Sequence, residues 1–296
     1  MSAIMHAVLS REYMGDAKTY EWLKPAAFTA SRGKAVGRPF EIYRYFNLTP
    51  DYPQTIDVYA KGGSAYGFSS LFSIFDQYGL GIIWLTAGDA MARSLLPDVL
   101  ISKYIPALEE ETRKQAQDQY AKTFVSSPTP HLNGSWNSNG TWNSTELPFT
   151  LKITLDDDPG LVIQNLTRGK YNLIDGYAGL YQSTFGKLLG LPTTLYSTYR
   201  LYPTDRIVKD VFQGKDVLKE EWRIKWDTIA DETKATASEL PGVGISGDSC
   251  STWLDTDWIH LAGEAVNKYF FIKDPKTLKV VGVQIPWLRT NLIVQS

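Results

Sequence analysis

The spacing of apolar and polar positions divides the chain into an N-terminal part of mixed helix and strand and a C-terminal part of short alternating strands. Met1 to Ser10 reads as a short amphipathic helix with Ile4, Met5 and Val8 on one side. Ala30 to Arg38, with glycine and proline close together, reads as a loop before a strand over Phe40 to Tyr45. The turn "LTPDYPQ" then leads into a strand over Ile56 to Ala60. Two apolar runs, Phe68 to Phe75 and Leu80 to Leu85, flank "DQYG" and predict a hairpin of central antiparallel strands. Two helices follow, Asp89 to Tyr104 and Ala107 to Phe124, divided at Pro106 because proline lacks the amide a helix interior needs. In the second, Leu108, Thr112, Ala116, Tyr120 and Phe124 share a face, while Glu109 with Arg113 and Glu110 with Lys114 pair on the exposed side.

Ser126 to Pro148 is rich in Ser, Asn, Gly and Pro and marks a linker, so the domain division is 1–125, linker 126–148 and 149–296. Beyond it, strands are expected at Phe149 to Leu155, Leu161 to Asn165, Thr194 to Tyr202, Trp222 to Trp226, Trp253 to Asp255, Tyr269 to Lys273 and Val280 to Ile285. Short strands at this spacing predict an all-β sandwich or barrel, and the chain as a whole is α+β. Trp222, Trp226, Trp253, Trp258 and Trp287 are expected in its core.

Composition narrows the function. A net charge of -2 over 296 residues gives no basic field for nucleic acid. No apolar run reaches bilayer-spanning length. The single Cys250 excludes an intrachain disulfide, and His6, His131 and His260 lie too far apart for a metal motif. Asn47, Asn133, Asn139, Asn143 and Asn165 open Asn-x-Ser/Thr sequons, candidate glycosylation sites in a secreted chain. The N-terminal residues, however, read as no export signal. Gly242 to Gly247 matches GxGxxG without a helix after it, and Asp156 to Gly160 is a turn rather than a calcium loop.

The chemistry concentrates in "VYAKGGSAYGFSS", Val58 to Ser70, where a strand runs into Lys61, Gly62 and Gly63. Glycines weaken a strand unless something must approach its backbone. Beside a cleft, the Ser64 amide can donate to a developing oxyanion, and an inward Lys61 ammonium can attract a carboxylate. The same residues also suit a plain hairpin with an exposed lysine.

In order, "VGRPFEIYR", "VYAKGGSAYGFSS", "FDQYGLGIIWLTAG" and "IPALEEETRKQA" resemble the closing strands and last helix of the penicillin-recognising, β-lactamase-related serine hydrolases. "DSCSTWLDTDW" through "VVGVQIPWLR" looks like the β-rich C-terminal domain of secreted fungal members. The resemblance implies acyl-enzyme attack on an ester, lactone or amide without metal or organic cofactor. It places Lys61-Gly62-Gly63 in the family's Lys-Thr-Gly position, with Ser64 giving one oxyanion amide. Gly62 lacks the hydroxyl that helps hold a substrate carboxylate, which favours neutral esters over penicillins.

Family chemistry also needs a serine with a lysine one helical turn later and a Tyr-x-Asn loop, both well before this strand. Only 60 residues precede Lys61, no helical Ser-x-x-Lys is expected among them, and no Tyr-x-Asn is expected anywhere in the chain. Ser31-Arg32-Gly33-Lys34 has the Ser-x-x-Lys spacing but reads as a loop, and Ser135-Trp136-Asn137 falls after the strand. The expectation is a C-terminal part of a serine hydrolase lacking its nucleophile, either incomplete or a non-catalytic relative whose β domain binds a ligand or partner. Without the elements that precede it in the family, the sheet over Phe68 to Leu85 is expected to present an apolar face for association.

Overall fold

A computed structural model describes residues 2–52, 54–88, 90–126, 135–136, 142–143, 147–175, 196–228, 257, 259–261 and 263–295. Cys250, Trp253, Trp258, His131, Asn133, Asn139 and the 242–247 glycine segment lie outside these residues. The chain divides into two units, Met1–Gln115 with Asp157–Pro159, and Ala116–Asp156 with Gly160–Ser296. The division falls upstream of residue 125: the helix end from Ala116 and the strand Thr123–Ser126, most of which the sequence reading gives to the second helix, belong to the second unit.

The first unit is built on a six-stranded antiparallel sheet in sequence order, from β1 (Ala27–Phe28), β2 (Lys34–Val36) and β3 (Glu41–Tyr45) to β4 (Ile56–Ala65), β5 (Phe68–Phe75) and β6 (Leu80–Ala87). The stretch expected to be a loop over Ala30 to Arg38 contains β2, whose Ala35 buries beside Ile42. Side chains alternate across the sheet, so each strand supplies two apolar faces. Helices α1 (Ser2–Leu9) and α2 (Asp16–Leu23) cover one face, where Met5, Val8 and Leu23 pack with Ile42, Phe72 and Ile74. Ile4, expected on that buried side of α1, is 60% exposed. Helix α3 (Ala90–Tyr120) covers the other face, where Ile101 and Ile105 meet Ile56, Val58 and Phe75.

Helix α3 corrects the expected break at Pro106. It runs through Pro97 and Pro106 without interruption. Burial of Ile101 and Ile105 on the sheet offsets the missing amide, a tertiary override of local propensity. It ends at Tyr120, and Phe124 belongs to the following strand. Glu109 is likewise not on an exposed face. Its carboxylate accepts hydrogen bonds from Tyr78 Oη at 2.9 Å and Gln54 Nε2 at 2.8 Å, with Arg113 3.9 Å away.

In the second unit, β7 (Thr123–Ser126), β8 (Phe149–Thr154), β9 (Leu161–Arg168), β10 (Tyr196–Phe212), β11 (Lys215–Thr228), β12 (Lys268–Lys273), β13 (Val280–Ile285) and β14 (Thr290–Val294) pair antiparallel, each with the next. The last, β14, pairs back onto β7, so the sheet closes as an up-and-down barrel of these eight strands. Of the sandwich and the barrel left open by the pattern, the topology selects the barrel. Its interior is side chains. Phe124, Leu151, Leu201, Tyr269, Phe271, Val283 and Leu292 are each at most 1% exposed, and Trp222 is buried beside them. Among the described residues, an apolar cavity lined by Ile163, Leu173, Tyr199 and Trp287 is about 10 Å³, at the lower limit for one water.

Candidate functional site

The strand β4 does not stop at its glycines. It continues to Ala65 and turns at Tyr66-Gly67, both at positive φ (48° and 83°), a geometry in which glycine carries no Cβ penalty. The partner β3 does stop. Its last register pair is Glu41 with Ala60, whereas β5 accompanies β4 to Ala65. Among the described residues, Lys61 to Ala65 therefore have a neighbouring strand on the β5 side only, and Gly62-Gly63 lies on a strand edge.

A cavity of about 570 Å³ opens beside this edge. Gly62, Gly63 and Ser64 line it together with Glu41, Tyr43 and Tyr45 from β3. Lys34 from β2 and Pro97, Asp98 and Ile101 from α3 complete the wall that matters here. The alternation of β4 explains the arrangement: Val58, Ala60, Gly62 and Ser64 fall on the face toward α3, and Gly62 leaves that face without a side chain. A Cβ at Gly63 would stand 3.3 Å from Ser70 Oγ across the β4–β5 pair, a contact a small rotation relieves.

Lys61 is placed differently from the expectation of an inward ammonium. Its side chain is half exposed, and its Nζ bonds Glu41 Oε1 at 3.3 Å and the Gly62 carbonyl at 3.1 Å. Glu41 also accepts from Tyr43 Oη at 2.9 Å. The cation is thus held by a carboxylate that itself lines the cavity, and a substrate carboxylate would meet Glu41 before Lys61. Ser64 follows the glycines on β4, with its hydroxyl 3.1 Å from Ser69 Oγ.

Ser31 and Lys34 do not share a helix face. Ser31 sits in a turn whose Oγ accepts from the Gly33 amide at 3.3 Å, while Lys34 opens β2 with its ammonium 5.8 Å from the Tyr43 ring centroid. One match escaped sequence reasoning: Tyr45-Phe46-Asn47 satisfies the Tyr-x-Asn spacing. Tyr45 lines the cavity. Burial, then the nearby Asp98 carboxylate 3.4 Å from its hydroxyl, pushes its pKa up to about 12, so it stays a neutral phenol.

Of the sequon asparagines, Asn47 is exposed in the bend after β3. Asn165 is half-buried within β9, opposite Lys152, and Asn143 lies in a two-residue ladder with Ser135. Among the described residues no group of three or more His, Cys, Asp or Glu side chains is arranged to hold a metal ion. No described helix is long and apolar enough to cross a membrane.

Comparison with known proteins follows the same division. A family model described as the C-terminal domain of β-lactamase-like proteins matches residues 112–296, close to the whole barrel unit. A "Beta-lactamase-like protein" of Arthroderma benhamiae is 34% identical over 277 residues, covering 93% of this chain and 44% of that protein. This chain thus spans less than half the length of that relative. The octameric penicillin-binding protein homologue from Pyrococcus abyssi aligns over 75% of this chain and 43% of its own, at 11% identity and a TM-score of 0.24, too loose to support a fold argument. The identity and extent of the fungal match, together with the family-model match, make this chain a member of the β-lactamase-like family.

Proposed function

We propose that the six-stranded unit is the acyl-binding half of a serine hydrolase that acts on neutral esters, lactones or amides through an acyl-enzyme. The attacking serine and its lysine are supplied from outside these 296 residues. The observation that carries this reading is the β4 edge: the strand outruns β3, and its paired glycines line the cavity wall. A serine oxygen attacking the carbonyl carbon of a substrate lying along Gly62-Gly63 would pass its proton to the lysine. The resulting oxyanion is received by the Ser64 amide, the alcohol or amine leaves with a proton, and water releases the acyl group.

Substrate charge follows from the wall. Gly62 offers no hydroxyl, Lys61 is engaged by Glu41, and the carboxylates of Glu41 and Asp98 outnumber the one lysine in the wall, Lys34. That balance favours a neutral acyl group over one bearing a free carboxylate.

The test is amide NMR of the chain with phenyl acetate, combined with a fluorophosphonate serine probe. Saturable shifts at Gly62, Gly63 and Ser64 that disappear in Gly62→Val are expected, with no fluorophosphonate adduct. Unresponsive amides would remove the acyl site. A stoichiometric adduct lost in Ser31→Ala would put the nucleophile inside this chain.

A further inference from the structure

The faces of the six-stranded sheet are covered rather than bare: Phe72, Ile74 and Phe75, expected on an apolar face open to association, are at most 9% exposed beneath the helices. One polar residue stands among them on β5. Ser73 is 1% exposed, and side-chain alternation turns it toward α3 with Phe75, opposite Ala60 of β4 and Ile82 of β6. It lines the floor of the cavity beside Val58, Ala60, Leu71 and Ile101, all of them apolar.

A hydroxyl buried among apolar side chains needs a hydrogen bond to offset its lost hydration. The other hydroxyls of the cavity have one: Tyr43 donates to Glu41, Tyr45 reaches Asp98, and Ser64 pairs with Ser69. Ser73 makes none among the described residues. Nor do its small neighbours fill the space above it. Ala60 contributes a methyl and Gly62 no side chain, so the hydroxyl is left facing the cavity. Binding cavities fix a ligand's orientation through a few such polar groups set in apolar walls.

With the carbonyl lying over Gly62-Gly63, as the acyl-site reading has it, we propose that Ser73 selects the acyl chain. The cavity takes a neutral chain bearing an ether, hydroxyl or keto oxygen about 7–8 Å from the carbonyl, and the Ser73 hydroxyl donates to that oxygen. The spacing comes from the register. Gly62 pairs with Leu71, so Ser73, two residues along β5, is its diagonal neighbour, and diagonal pairs across antiparallel strands stand about 7–8 Å apart. A saturated chain of that length displaces water from Ser73 and leaves the hydroxyl unpaired, so the site discriminates against it.

Amide NMR titrations of the 296-residue chain with phenyl acetate, phenyl octanoate and phenyl ω-methoxyhexanoate test it, the last differing from the octanoate by an oxygen in place of a methylene. All three esters should shift Gly62 and Gly63. In Ser73→Ala the affinity of the methoxy ester relative to the octanoate should fall about tenfold, with phenyl acetate binding unchanged. The Ser73→Ala chain should also be at least as stable to urea, because the hydroxyl it loses has no partner. A ratio of affinities indifferent to Ser73→Ala would overturn the proposal, as would a Ser73→Ala chain that unfolds more readily, which would give the hydroxyl a structural bond. In either case, if phenyl acetate still shifts Gly62 and Gly63, the acyl site stands and only the role of Ser73 is lost. If phenyl acetate leaves those amides unmoved, the acyl-site reading falls and the selection by Ser73 falls with it.

Discussion

Where the inward row of the barrel reaches the end of α3, it becomes polar. Glu220 follows Trp222 and Lys273 follows Phe271 on the same alternating face, and Tyr120 packs against Trp222 and Phe271 with ring centroids 5.0 and 4.8 Å apart. The Tyr120 hydroxyl donates to Glu220 Oε2 at 2.8 Å and accepts from Lys273 Nζ at 2.7 Å, while Lys273 and Glu220 are themselves 2.8 Å apart. Burial first, and then the Glu220 charge, raises the Tyr120 pKa, so the phenol stays protonated and donating. Removing the hydroxyl in Tyr120→Phe loses both of its hydrogen bonds but leaves the two charges paired with each other, so the net loss should be about 2 kcal/mol. Lys273→Met is different. It leaves the Glu220 carboxylate, whose side chain is 15% exposed, without its cation, and the cost should reach about 3–5 kcal/mol. Combining Lys273→Met with Glu220→Gln should recover part of that loss, because no unpaired charge remains. Urea unfolding followed by tryptophan fluorescence, with the barrel transition fitted separately, gives the values. If Lys273→Met costs no more than Tyr120→Phe, the trio is not a charge network and the argument fails.

Further outcomes follow from the first unit. Glu41→Gln should release Lys61, so a carboxylate-bearing ester such as phenyl hemisuccinate should bind up to about tenfold tighter, with phenyl acetate unaffected; equal affinities before and after the change would contradict the charge argument. Glu109→Ala leaves the Tyr78 hydroxyl without its acceptor and the Gln54 amide with only its 3.3 Å bond to Tyr78 Oη, and should cost about 2–3 kcal/mol in thermal or urea unfolding, whereas a truly exposed glutamate would cost almost nothing. Tyr45 and Tyr59 are both held up to about 12 from 10.0, chiefly by burial, so the folded chain keeps protons that the unfolded chain gives up. Their contribution is complete below pH 10 and is lost as pH rises from 10 toward 12, so stability should fall over that interval and fall less steeply in Tyr45→Phe.

Periodicity alone determined much of this protein. The Phe68–Phe75 and Val280–Ile285 strands have the bounds their apolar runs predict, because each run is bracketed by turn residues. The Lys-Gly-Gly strand and its β-lactamase-like setting were legible for the same reason: glycines are conspicuous in a strand. Tertiary structure decided what local signals could not carry. Pro106 sits inside α3 because packing of Ile101 and Ile105 outweighs a local helix breaker. Nothing in the pattern announced α2 or the barrel's closing strand Thr290–Val294, since strand pairing between residues far apart leaves no local mark. The orientation of Lys61 also depended on a distant partner, Glu41, whose position is set by the β3–β4 register. The sequence determined which residues stand along β4, and the fold decided that β3 stops pairing at Ala60, before Gly62 and Gly63, turning a glycine-bearing strand into an edge beside a cavity.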